Sequence, residues 1–86
     1  MKVMVVETFL DGNPARVGER FRLNGRMLPN GVHYLDSWMS SDGSKCYQLM
    51  ETPSVEALEP WLTAWSDLVA FEVVGVVDSA EYWKGD

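Results

Sequence analysis

The chain has 86 residues, with 13 acidic against 7 basic side chains and a formal net charge of −6. This length fits one domain, residues 1–86, and leaves no room for a second hydrophobic core. The negative charge repels nucleic-acid phosphates at long range, so we expect no nucleic-acid partner of this small acidic protein. Its apolar runs are far shorter than a membrane span, and its N-terminus does not resemble a signal peptide, so we expect no membrane association.

The scarcity of cysteine and histidine limits the chemistry that this chain can perform. Cys46 is the only cysteine, which excludes an intrachain disulfide and predicts a reducing, cytoplasmic location. His33 is the only histidine, so we expect no metal site. No glycine-rich phosphate loop and no Ser/His/Asp arrangement is present, and we therefore expect no cofactor.

The first half of the chain predicts a strand followed by a helix. Residues 2–9 are rich in β-branched and apolar types and predict the first strand. Asn13 and Pro14 are typical of a helix start, and residues 29–31, Pro-Asn-Gly, end that helix. Four positions at helical spacing form a stripe that packs on a sheet, and its glycine would allow close approach: Val17, Phe21, Gly25 and Leu28.

The second half predicts a hairpin, an interrupted helix and a last strand. Residues 32–39 and 45–51 are predicted strands joined by a turn that contains Asp42-Gly43. Pro60 disfavours a continuous helix, so we predict a short turn over residues 54–58 and a regular helix from about Glu59. The apolar residues 69–77 predict a fourth strand, and residues 78–86 form a tail that is polar apart from Tyr82 and Trp83.

This order of elements predicts an α+β fold, the ferredoxin-like βαββαβ arrangement. The sheet would be four-stranded and antiparallel, in the order 4-1-3-2, with two helices on one face. We predict that alternate strand positions place a mixed apolar and ionisable set on the other face: Val3, Val5, Glu7, Phe9, Tyr34, Asp36, Trp38, Tyr47, Leu49, Glu51, Phe71 and Val73. Such a face favours a homodimer in which two sheets pack together and form a dimeric alpha-beta barrel with a lumen.

Several short strings add a resemblance that extends over nearly the whole chain. They are Glu7-Thr8-Phe9, Gly31, Trp38, Met50-Glu51-Thr52, Trp65-Ser66-Asp67-Leu68 and Phe71-Glu72-Val73. With these strings the chain resembles an uncharacterised family, a domain of unknown function, within the dimeric alpha-beta barrel, ferredoxin-like superfamily. The resemblance implies dimers packed side by side or face to face, and Pro60 departs from the unbroken second helix usual there. The wider superfamily includes cofactor-independent monooxygenases, isomerases, haem-handling enzymes and ligand binders, and fold alone does not choose among them.

Three carboxylates are the candidate catalytic residues. Glu7, Asp36 and Glu51 would be desolvated in a dimeric lumen, and desolvation raises a carboxyl pKa towards the value that a general base or acid requires. The alternative is that they lie at strand ends or at the barrel mouth, solvated or paired with arginines. The candidate ligand-binding residues are the aromatic ones predicted beside them, namely Phe9, Tyr34, Trp38 and Tyr47.

Three functional hypotheses follow from this pattern. The first is a homodimeric domain, either structural or binding a small molecule between facing sheets. The second is an enzyme of the cofactor-independent monooxygenase or isomerase kind, and the third is a protein interaction module. Cys46 is more typical of a small buried residue than of a nucleophile.

The charged residues near the helices permit two interpretations each. Arg16, Arg20, Arg22 and Arg26 could hold an anionic group, although a solvated helix face is the favoured interpretation. Asp67 would oppose the dipole of the second helix, so it should either have a partner or start the following turn, and we favour the turn.

Overall fold

The computed structural model describes residues 1–84, and the last two residues of the predicted tail, 85 and 86, lie outside the described residues. A 3₁₀ helix over Glu56–Leu58 leads directly into the second α-helix. The strands and α-helices, in chain order, are β1 (Lys2–Phe9), α1 (Ala15–Asn24), β2 (His33–Met39), β3 (Lys45–Glu51), α2 (Glu59–Trp65), β4 (Val69–Val76) and α3 (Ser79–Lys84).

The four strands form one antiparallel sheet in the order β2-β3-β1-β4. This is the predicted order 4-1-3-2 counted from the opposite edge, and the α+β, ferredoxin-like arrangement is therefore confirmed. The helix α1 connects β1 to β2, and α2 connects β3 to β4. Because β1 is flanked by β3 and β4, the two connections cross over the same sheet and bring both helices onto one side.

The helix α1 begins as predicted but is shorter than the sequence pattern indicates. The Asn13 side-chain oxygen accepts a hydrogen bond from the Ala15 amide at 2.9 Å, which satisfies one donor of the first turn. Gly25 ends the helix with a φ of 69°, a conformation that glycine adopts without steric cost. A Cβ atom added at Gly25 would meet nothing within 4 Å, so the predicted close approach of Gly25 to the sheet is wrong.

The helix α2 confirms the effect expected of Pro60. The proline lies in the first turn of α2, where its missing N–H costs no intrahelical hydrogen bond. The preceding residues take the 3₁₀ form over Glu56–Leu58, as the predicted turn and restart require.

The tail contains a short helix that the sequence analysis did not predict. The Asp78 side-chain oxygen accepts hydrogen bonds from the amides of Ala80 at 2.8 Å and Glu81 at 3.3 Å. These bonds cap the first turn of α3, which carries Tyr82 and Trp83 in edge-to-face contact.

Residues directly opposite each other in neighbouring antiparallel strands point to the same face of a sheet, and this divides the strand residues into two sets. The side facing α1 and α2, here the helix face, carries Val3, Val5, Glu7, Phe9, Tyr34, Ser37, Met39, Cys46, Gln48, Met50, Phe71 and Val73. The opposite side, here the open face, carries Lys2, Met4, Val6, Thr8, Asp36, Trp38, Lys45, Tyr47, Leu49, Glu51, Glu72 and Val74.

The hydrophobic core lies between the helix face and α2. Val3, Val5 and Met50 on the strands are completely buried, as is Leu58 at the entry to α2. The helix α1, in contrast, contains no buried residue. It therefore buries less side-chain surface against the helix face than α2 does, although Val17 of α1 packs against the core. No helix within residues 1–84 is long and apolar enough to cross a membrane.

Candidate functional site

Six of the candidate site residues, predicted together on one face of the sheet, do not share a face: Glu7, Tyr34, Asp36, Trp38, Tyr47 and Glu51. Glu7 lies opposite Cys46 on one side and Phe71 on the other, which places it on the helix face. Tyr34 lies opposite Met50 and shares that face. An irregularity between Tyr34 and Asp36 shifts the register of β2 and reverses the alternation of side chains there. The prediction of a single cluster is therefore wrong.

The other four members of that cluster lie on the open face. Trp38 is opposite Tyr47, and Asp36 is opposite Leu49. Glu51 lies two positions after Leu49 on β3 and therefore points to the same face. The Asp36 side chain accepts a hydrogen bond from the amide of the next residue at 2.8 Å. Glu51 forms an ion pair of 3.3 Å with the N-terminal amine of Met1. Each of these two carboxylates thus has a local partner on an exposed surface.

A pocket of about 250 Å³ lies between the helix face and α1. The helix α1, which forms one wall of it, ends at Gly25 and contains no fully buried residue. This helix-face pocket has polar groups from the strands, and most of its remaining wall is aromatic or aliphatic. Its lining residues are Glu7, Phe9, Pro14, Val17, Gly18, Phe21, Arg26, Ser37, Met39, Cys46, Gln48, Trp61, Trp65 and Val69.

Glu7 is the candidate acid or base of the helix-face pocket. Burial raises its pKa from 4.5 to about 7, and this effect exceeds the opposing effects of the Arg26 charge and of a hydrogen bond with the Cys46 thiol. A carboxyl group with this pKa is present in both protonation states near neutral pH. It can therefore donate a proton to a molecule in the pocket or accept one from it.

Cys46 is unsuited to act as a nucleophile. Burial first, and then the charge and hydrogen bond of the neighbouring Glu7 carboxyl group, raise the pKa of its thiol to about 11 against the lowering effects of the Ser37 hydroxyl and the Arg26 charge. The thiol stays protonated at neutral pH, and only a thiolate attacks efficiently. This agrees with the interpretation of Cys46 as a small buried residue.

Arg26 supplies a positive charge to the same pocket. Its guanidinium carbon lies 3.6 Å from the centre of the Tyr34 ring and 5.1 Å from that of Phe21, distances at which a cation is attracted to an aromatic face. Its backbone oxygen accepts a hydrogen bond of 3.0 Å from the Trp65 indole. The segment that follows α1 is thereby tied to α2, and the Arg26 side chain is held beside the aromatic rings.

Arg20 is engaged outside the helix-face pocket, where it binds Asp67. The two guanidinium nitrogens of Arg20 donate to the two carboxylate oxygens of Asp67 at 2.7 and 2.6 Å. Asp67 therefore has a partner, and it also lies in the turn over residues 66–68 that follows α2, as the favoured interpretation predicts. Arg20 also donates to the Ala64 backbone oxygen at 3.1 Å. Of the four arginines predicted as a group, Arg26 is the one that lines the helix-face pocket.

The sequence pattern predicts Phe9 and Glu7 on the sheet face away from the helices, and this is wrong, because both lie on the helix face; most of the pocket around them was also missed. Phe9 is buried on the helix face, and Tyr34 lies behind Arg26, with its hydroxyl 2.7 Å from that of Ser37. The residues missed as site members are Arg26, Ser37, Cys46, Gln48, Trp61 and Trp65. The available signal was the hairpin: a turn centred on Asp42-Gly43 sets Cys46 opposite Met39 and hence Gln48 opposite Ser37.

The site shows no arrangement for metal binding. Within residues 1–84, no three His, Cys, Asp or Glu side chains are grouped so that they could hold a metal ion. The ionisable groups that line the helix-face pocket are Glu7, Arg26 and Cys46. Its chemistry therefore depends on one carboxyl group, one guanidinium and an inert thiol.

Fold and site together define a ferredoxin-like α+β domain with a largely apolar pocket between its sheet and its first helix. The chain belongs to the family described as Domain of unknown function (DUF3303), whose model matches residues 1–85. Searches of the curated proteins and of the solved structures found no match.

Proposed function

We propose that the protein binds a small, largely apolar molecule in the helix-face pocket. The observation that supports this most is the position of Glu7, a carboxyl group that burial keeps partly neutral, inside a space of about 250 Å³ with aromatic walls. Pockets that bind small molecules are mostly apolar and contain a few polar groups that fix orientation. The size favours a ligand of one or two rings.

The partly neutral state of Glu7 suits a ligand with one polar group. A neutral carboxyl group donates one hydrogen bond and accepts others, whereas a carboxylate only accepts. Trp61 and Trp65 line the pocket but are nearly completely buried. The accessible apolar surface for the body of such a ligand therefore comes from other lining side chains, among them Phe21 and Met39, which are 42% and 49% exposed. Burying that body removes apolar area from water, which is the main source of affinity in a site of this kind.

Filling the pocket should weaken this binding. Gly18 lines the pocket from α1, and a Cβ atom added there would meet nothing within 4 Å. A Gly18→Leu variant is expected to place its side chain in the cavity and to weaken binding of 2-naphthalenemethanol at least about tenfold in calorimetric titrations. Gly18→Ala is the matched control, since it changes the helix in the same place but adds a single methyl group.

Two results would contradict the binding proposal. One is the absence of calorimetric heat with the parent protein for 2-naphthalenemethanol, 1-naphthol and indole alike. The other is equal affinity of the parent and the Gly18→Leu variant, because a ligand bound in the helix-face pocket must compete with the new side chain for the same space.

We propose, as a separate point, that a second copy of the chain covers the open face. Trp38 is 51%, Tyr47 38% and Val74 43% exposed there, and aromatic residues clustered on one surface are typical of interface centres. The face carries lysines, Lys2 and Lys45, as well as carboxylates. Two identical faces can therefore pair charges although the whole chain is acidic. A homodimer would also add the apolar contact area that so short a chain lacks.

Introducing a charge among the exposed aromatic residues of the open face should dissociate the dimer. Light scattering is expected to give about twice the chain mass of 9.7 kDa for the parent protein and a single chain mass for Trp38→Glu. Leu23→Glu is the control, because Leu23 is 76% exposed on α1, away from the open face. A parent protein that is monomeric at micromolar concentration would refute the proposal.

A cytoplasmic location is also proposed, and the free thiol supports it. Cys46 is buried and unpaired among the described residues, which suits a reducing compartment. Recovery of the protein from a secreted fraction with Cys46 oxidised would contradict this location.

A further inference from the structure

Arg26 is a cation of the helix-face pocket that lacks an anionic partner within the described part of the chain. The ion pairs in residues 1–84 join the Met1 amine to Glu51, Arg16 to Asp11 and Arg20 to Asp67. The side-chain hydrogen bonds that arginines donate in the same residues belong to Arg16 and Arg20. The Arg26 guanidinium is half-buried and rests with one face on the Tyr34 ring, so its N–H groups remain available.

We infer that the ligand of this pocket carries a carboxylate, which Arg26 binds while the apolar body of the ligand lies among the aromatic side chains. This inference rests on the proposed binding function and specifies its ligand class as small aromatic or alicyclic carboxylic acids. A guanidinium presents its N–H groups in a planar fork that matches a carboxylate with two parallel hydrogen bonds. Stacking on Tyr34 fixes the plane of that fork before the ligand arrives, which reduces the entropy lost on binding.

The neighbouring Glu7 would couple binding to proton uptake. Glu7 and Arg26 line the same pocket but form no ion pair with each other. A ligand carboxylate placed near both would repel ionised Glu7 and favour its protonated form. The proton would come from solvent, and the neutral Glu7 could then donate a hydrogen bond to the ligand.

The other groups around Glu7 permit this coupling. On β3 its neighbour is the Cys46 thiol, which stays protonated at neutral pH, and on β4 its neighbour is the uncharged Phe71. The pocket residues of α1 and α2 carry no charge, and β2 contributes the Ser37 hydroxyl. The charge that acts on Glu7 within the pocket is therefore that of Arg26, and a ligand carboxylate would oppose it.

The test compares an acid with its neutral counterpart. In calorimetric titrations at about pH 7.5, the parent protein is expected to bind 2-naphthoate more tightly than 2-naphthalenemethanol. Arg26→Gln should weaken 2-naphthoate binding about tenfold or more and leave 2-naphthalenemethanol binding nearly unchanged. Arg22→Gln is the matched control, because Arg22 lies on exposed α1 outside the pocket and its replacement changes the net charge equally.

Titrations in buffers of different ionisation enthalpy measure the proton coupling. The parent protein should take up a substantial fraction of one proton per 2-naphthoate bound, and Glu7→Gln should take up none. Equal loss of affinity for the acid and the alcohol in Arg26→Gln would overturn the inference, since it would show a structural role for Arg26. Binding of the alcohol without binding of 2-naphthoate would overturn it and leave the proposed function standing, whereas binding of neither compound would overturn both.

Discussion

Replacing Glu7 by Gln is expected to stabilise the protein by about 2 kcal/mol at about pH 8 and to change its stability little at about pH 4. Folding raises the Glu7 pKa from 4.5 to about 7, so the folded state disfavours the ionised form. The contribution of Glu7 to the free energy of unfolding is fully present below pH 4.5, the pKa in the unfolded chain. It decreases as the pH rises and is lost above about 7, the pKa in the folded protein. The full change corresponds to about 3 kcal/mol, and the partial exposure of the side chain reduces it to about 2 kcal/mol.

Urea denaturation at a series of pH values would measure this difference. The gap between Glu7→Gln and the parent protein should open between pH 4.5 and about 7 and remain constant above that range. Glu19→Gln is the control, since Glu19 is exposed on α1, outside the helix-face pocket and the open face, and its replacement removes the same charge. A gap that does not depend on pH, or one that Glu19→Gln reproduces, would show that Glu7 is not desolvated in the folded protein.

Truncation of Leu58 to Ala is expected to cost about 3 kcal/mol of the free energy of unfolding. Leu58 is completely buried where the 3₁₀ helix enters α2, and it belongs to the core formed with Trp61 and Trp65. The cost combines the lost apolar transfer energy with the cavity that remains. For a chain of this size, such a loss is a large fraction of the total stability.

The matched substitution on the other helix should have almost no effect. Leu23→Ala removes the same atoms from a side chain that is 76% exposed on α1, and a change within about 0.5 kcal/mol is expected. Urea unfolding midpoints of the two variants, at unchanged slope, would give both values. Similar losses for Leu58→Ala and Leu23→Ala would contradict the account of Leu58 as a core residue and Leu23 as a solvent-exposed one.

Local chemistry made most of the fold predictable from the sequence. The bounds of β1 and β3 follow from runs of β-branched and apolar residues, and the restart of α2 follows from the single property of Pro60 that it lacks an N–H. The short helix α3 was missed because its tail is polar and its start depends on Asp78, one capping residue among several acidic ones.

The candidate site was harder to predict, because it depends on the register between strands. Both alternating sets of β1 are apolar, with Val3 and Val5 on one face and Met4 and Val6 on the other. Hydrophobic alternation therefore could not decide which set, and with it Glu7, faces the helices. The irregularity after Tyr34 also reverses the faces to which the following residues of β2 point, and no local residue pattern indicates it.

The position of Arg26 in the pocket depends on tertiary contacts. The sequence grouped it with three helical arginines, but α1 ends before it, at Gly25. The Trp65 indole then binds the Arg26 backbone oxygen across 39 residues of chain. Contacts of that separation are set by the packing of α2 and are invisible to a pattern of neighbouring residues.

The central claim is that ligands bind between the sheet and α1, and the four tryptophans of the chain allow it to be tested directly. Trp61 and Trp65 line the helix-face pocket, Trp38 lies on the open face and Trp83 on α3. In NMR titrations with 2-naphthalenemethanol, the indole N–H resonances of Trp61 and Trp65 should shift in a saturable manner, while those of Trp38 and Trp83 stay in place. A saturable shift of Trp38 with Trp61 and Trp65 unmoved would place the ligand on the open face and contradict the account.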